Sequence, residues 1–301
     1  MNKRLVMSSQ LSSNRIVSRE SSESGESSSG SSESTSGSLG PTYDWVEIVV
    51  RNTATTLRKP DDLDKVIAKA PLVRSDLPSD IVIAEICGYT DRVCHGRENA
   101  PVDFFFVYST LFVDLKVTLP FDEFTTDVLR FLNLAPTQLH LNSLACLQAY
   151  RMVCRLFDLT PRAEVFLFYY NTYPTNPVSW VSLVSRPGSV HFAAYTTSYK
   201  NFKERYFKVF MEPDGREHFY LAEGGTKFPF HWTQNPTSLT TNSRTTVSVL
   251  GKADMAVFDQ LPHKLPTRDI ISLYTSSDPW VDFVGMLLCN FDWLDCFINS
   301  V

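Results

Sequence analysis

The chain is 301 residues long, 43% hydrophobic and 13% aromatic, and its 33 acidic and 28 basic side chains give a formal net charge of -5. That is ample apolar surface for a packed core. The acidic balance excludes a whole-protein electrostatic case for binding phosphate polymers, so any nucleic-acid site must be a local patch.

Residues 1–42 are built around RESSESGESSSGSSESTSGSLG. Ser, Gly and Glu bury too little apolar surface to offset the ordering entropy, which predicts a disordered tail. Its charges cancel, with Lys3, Arg4, Arg15 and Arg19 against Glu20, Glu23, Glu26 and Glu33. Serines set among acids suit acidophilic phosphorylation, and the alternative is a solvated tail with no role. Order is expected from Tyr43. Pro60 followed by Asp61, Asp62 and Asp64 predicts a short helix with acids in its first turn. The β-branched run Ile81–Ile86 predicts a strand ending at Gly88. Cys94-His95 is half of a zinc site without a second pair, and reads as a loop thiol beside a surface histidine. Asp103 is placed to cap a helix carrying Phe104, Phe105, Val107, Tyr108, Leu111, Phe112 and Leu115, although the early aromatics also suit a strand.

From Leu119 to Tyr170 the spacing predicts three helices. The first follows Pro120 and carries Phe121, Phe124, Val128, Phe131 and Leu132. The second starts after an Asn142 cap, beyond the Pro136 break, with Leu144, Leu147, Tyr150, Cys154 and Phe157 along one side. Its Cys146 and Cys154 read as buried hydrophobes. The third starts at Thr160-Pro161. The period then changes. Arg186-Pro187-Gly188-Ser189 fits a type II turn between Val178–Val184 and Val190–Tyr195, and Pro213-Asp214-Gly215 links Phe207–Met211 to Phe219–Leu221, predicting two hairpins. Residues 233–301 read as a polar linker and a short, truncated C-terminal segment, with one more turn or short helix near Met255–Leu261. The last apolar run is interrupted by Asn290, Asp292 and Asp295 and does not make a membrane span. Together these features predict an α+β protein, with a helical cluster at about 103–171 followed by antiparallel hairpins at about 178–222.

The sequence contains no Walker-type loop, GxGxxG, HExxH or GxSxG, and no catalytic, cofactor or metal residue is assigned. Its six cysteines have no Cys-x-x-Cys spacing and the N-terminus has no apolar leader, which predicts free thiols in an intracellular protein, nuclear or cytoplasmic. One segment points towards nucleic acid. Tyr199, Lys200, Phe202, Lys203, Arg205 and Lys208 interleave bases with aromatics, so cations could track phosphates while Tyr199 or Phe202 stacks on bases. The alternative is an amphipathic segment with its aromatics in the core and its lysines in water.

The phrases RVCHGRENAPVDFFFVY, LPFDEFTTDVLRFLNLAPTQLHLNS, SWVSLVSRPGS, YKNFKERYFKV and TKFPFHWTQNP occur in order between Arg92 and Pro236. They resemble the plant gypsy-type transposon domain family of retrotransposon-derived, gag-like or transposase-like proteins. The chain departs from that pattern at His140-Leu141-Asn142-Ser143-Leu144, where the family has His-Pro-Asn-Ser-Trp. The resemblance implies a non-enzymatic 43–232 domain with a structural or assembly role, acting by self-association and without a cofactor. It also leaves open a nucleic-acid-binding accessory role.

Overall fold

Phe104–Tyr108 is five apolar side chains without a polar break, a run that suits a strand covered on both faces as well as a buried helix. In the computed structural model, which describes residues 42–96, 102–189, 191–195, 201–240 and 247–290, it is a strand with every residue buried. The capped helix expected from Asp103 is therefore replaced by strand β2, and helix only begins at Ser109.

In chain order the elements are α1 (Ile48–Asn52), α2 (Pro60–Ile67), β1 (Val82–Glu85), β2 (Phe104–Tyr108), α3 (Ser109–Val113), α4 (Glu123–Leu132) and α5 (Leu141–Leu156). They continue with α6 (Ala163–Phe168), β3 (Tyr170–Thr172), β4 (Leu183–Ser185), β5 (Tyr206–Met211), α7 (Val249–Phe258), α8 (Thr267–Ser272) and α9 (Pro279–Asn290). The class is α+β, as expected.

The sheet topology differs from the expected hairpins. β5 is the centre of a three-stranded antiparallel sheet in the order β1-β5-β2. Val209 pairs with Ala84 on one side and Phe105 on the other, and Lys208 pairs with Glu85 and Phe106. The partner of β5 is not Phe219–Leu221. Pro213–His218 forms a 3-10 turn instead, and Gly215 lies against the backbone of Ile81, where a Cβ would sit 2.3 Å from the carbonyl oxygen. Only a residue without a side chain fits there. The turn at 186–189 does form, with Ser189 N–H donating to Arg186 C=O at 3.0 Å and Gly188 at φ 75°. The strand before it pairs backwards, however, β4 with β3. Type II geometry splays flanking strands, which favours this outcome over a hairpin. Phe192 bridges to Leu265, and Val190 lies outside the described residues.

α5 organises the helical side. Twelve of its sixteen residues are buried, so it is covered nearly all round rather than along one face. Its cap is His140, whose Nδ1 accepts from Asn142 N–H at 3.2 Å, so Asn142 is inside the helix rather than at its cap. α4 starts later than Pro120, after Asp122, whose carboxylate accepts from Thr125 N–H at 3.0 Å. It ends at a left-handed Asn133. α6 starts after Arg162 rather than at Thr160-Pro161. Tyr150 stacks on Phe258 of α7 at 4.7 Å, while Phe105, Phe121, Phe219, Phe228 and Phe230 form an aromatic cluster beside the sheet.

The stretch expected as linker and truncated end carries α7, α8 and α9. Phe258, Leu265, Ile270 and Phe283, all fully buried, belong to the same core cluster as α5 and β2. Each of these helices buries only two or three described side chains, too few to show as a long periodic apolar face. The tail at 1–41 and the last residues, 291–301, lie outside the described residues. No described helix is long and apolar enough to cross a membrane.

Candidate functional site

The basic and aromatic segment enters the fold through a 3-10 turn at Phe202–Glu204 and continues into β5. Phe202 is buried and meets Tyr108 edge-on at 5.2 Å, so its ring serves the core. The Lys203 ammonium lies 3.5 Å from the centre of the Trp180 ring. Burial lowers its pKa, against a smaller opposing effect of Glu47. Trp180 in turn donates its indole N–H to the Tyr108 hydroxyl at 2.8 Å, which reaches Thr137 C=O. Lys208, in the middle of the sheet, forms a 2.7 Å ion pair with Asp91 and lies over Phe104. Tyr199 and Lys200 lie outside the described residues. Among the described members of the segment, Phe202, Lys203 and Lys208 are thus engaged inside the protein.

Arg205 is different. It is exposed, and its Nε is 3.4 Å from Ser109 Oγ. It lines an open groove of about 580 Å³ together with Thr56, Asp62, Lys65, Lys69, Ser109, Thr110 and Asp114. Three sequence-remote segments build this groove. α2 presents Asp62, Lys65 and Val66 along one face at helical spacing, held down by buried Leu63 and Val66, and Lys69 follows in the turn after its Ala68 cap. The loop before α2 is tied to the turn before β5 through Thr56, whose N–H donates to Glu204 C=O at 2.6 Å. Ser109 N–H donates to Arg205 C=O at 2.8 Å, which fixes α3 beside it.

The electrostatics centre on Asp114 at the end of α3. Burial raises the pKa of its carboxyl, opposed by Lys116, Arg205, Arg268 and Lys69, all near enough to act on it. Arg268 comes from α8, in the stretch expected to be linker. The cations Lys65, Lys69, Lys116, Arg205 and Arg268 thus gather around two carboxylates, Asp62 and Asp114. Sequence reasoning found Arg205 and missed the other four, because they are isolated residues spread over some two hundred positions. Only the fold gathers them.

The thiols are placed for packing. Cys87, Cys94, Cys146 and Cys154 are buried thiols in no disulfide, and Cys289 is an exposed one. Burial pushes Cys87 and Cys154 up to about 12 and Cys146 to about 11, which suppresses the reactive thiolate. His95 is half-buried and stacks on Tyr43 at 4.8 Å beside the buried loop thiol of Cys94, so the histidine expected at the surface is packed. Among the described residues, no three His, Cys, Asp or Glu side chains are grouped to hold a metal ion.

Compared with family models, with curated proteins and with solved structures, the chain matches none.

Proposed function

We propose that this chain is a non-enzymatic, retroelement-derived domain with a gag-like structural role, exercised through self-association. The observation that carries the reading is α9. Its sequence, PWVDFVGMLLCN, has a single charge, Asp282, and a helix apolar nearly all round calls for cover on both sides. The core covers only one of them, through Phe283 and Leu287. On the other, Val281 and Leu288 are 60% and 46% exposed, about one turn to either side of Gly285. A Cβ at Gly285 would meet nothing within 4 Å. Several exposed apolar side chains on one helix face mark an interaction surface. The resemblance between Arg92 and Trp232 supports a retroelement origin and an assembly role. The test is the mass of the purified chain by light scattering across the micromolar range. A mass rising with concentration supports the reading, and a monomer throughout contradicts it.

A further inference from the structure

We infer that the groove between α2, α3 and Arg205 is a binding site for the phosphate backbone of single-stranded nucleic acid. Three cations line the groove, Lys65 on α2, Lys69 just past its end and Arg205 before β5, and two more, Lys116 after α3 and Arg268 on α8, stand near enough to act on its Asp114. All five are exposed, and Lys65 makes only a loose 3.6 Å surface pair with Asp62, so they are available to an anion.

Three features select the ligand. The groove is open rather than enclosed and about 580 Å³ in size, which suits an extended chain passing through it. Asp62 and Asp114 stand among the cations and would repel a compact, multiply charged headgroup or phosphoresidue. Singly charged phosphates spaced along a strand can lie beside the lysines and arginines and avoid both carboxylates. Of the apolar lining, Leu57 and Val66 are buried and Val113 is half-buried against the core, which leaves no exposed apolar side chain there to enter a bilayer. The segment singled out from sequence contributes one residue, Arg205, rather than a stacking platform.

The test is fluorescence anisotropy of the full chain with labelled oligo(dT) and oligo(rU), from about 50 to 200 mM salt. Three phosphate contacts predict that affinity falls about 20-fold over that range. Lys65 and Lys69 are exposed, so the K65E/K69E pair keeps the fold, which its melting temperature verifies. This pair is expected to lose at least about tenfold in affinity. Asp114→Asn, which removes one of the repelling charges, is expected to tighten binding about threefold. No binding at the lowest salt, or unchanged affinity in K65E/K69E, overturns the inference. So does tighter binding of a phosphoserine peptide or of phosphatidylserine vesicles with the same residue dependence, because the groove then belongs to that ligand.

Discussion

Lys203 Nζ sits 3.5 Å from the centre of the Trp180 ring, and Trp180 is hydrogen-bonded to the buried Tyr108. A lysine in a basic run is thereby part of the core's edge. Lys203→Ala is expected to lower stability by about 1 kcal/mol, the worth of a partly desolvated cation–π contact. Urea unfolding checks the loss. Any affinity for oligonucleotides should stay unchanged, since this amine is directed at an indole.

The ion pair between Lys208 and Asp91 is half-buried and shared, because Asp91 Oδ2 also accepts from Gly88 N–H at 2.6 Å. Asp91→Ala leaves a cation beside the sheet and an unmatched backbone donor. A loss of about 2 kcal/mol is expected. A double-mutant cycle with Lys208→Met should recover part of it, and strict additivity would contradict the pairing.

Gly215→Ala tests the close approach of the 3-10 turn to β1. The added methyl would fall 2.3 Å from Ile81 C=O, a backbone atom that cannot rotate away. Destabilisation of more than about 2 kcal/mol is expected in thermal or urea unfolding.

His191 sets an acid limit. It is 4% exposed and packed on Tyr169 and Phe258. Burial first, then the neighbouring His263, lowers its pKa to about 4, against a smaller raising effect of Asp259. A base whose folded pKa is depressed stays neutral in the folded state while the unfolded chain takes up a proton. Stability is therefore intact above the unfolded value of about 6.5 and falls as pH drops towards about 4. The accumulated loss is at most about 3 kcal/mol. His191→Phe should flatten that part of the stability–pH curve, and an unchanged slope between pH 6.5 and 4 would refute it.

The thiols should divide by burial. Brief iodoacetamide treatment of the native chain is expected to alkylate Cys289 and spare Cys87, Cys94, Cys146 and Cys154, while all six cysteines of the chain react after denaturation. Mass spectrometry of the peptides reads the outcome, and native labelling of Cys154 would contradict its placement.

How far the sequence can be read follows from where the information is local. The α2 start at Pro60, the Val82–Glu85 strand and the type II turn at Pro187-Gly188 are set by neighbouring residues, and all three are found. Pairing is not local. Nothing around Phe207–Met211 says that its partners lie upstream, in β1 and β2, rather than in the next apolar run. Phe104–Tyr108 matches helix and strand templates alike, and ladder formation with β5 decides it. The groove is the extreme case, since Lys69 and Arg205 on its lining and Lys116 and Arg268 near its Asp114 carry no shared motif and meet only in the fold.

The assembly role is tested most directly by sedimentation velocity of wild-type chain and the V281K/L288K variant, run side by side over the micromolar range. Both substituted positions are exposed, so the variant should melt at the wild-type temperature. The account predicts that the wild type sediments faster as concentration rises and that the variant stays at the monomer value. Identical sedimentation of the two folded proteins would contradict a role for α9 in self-association.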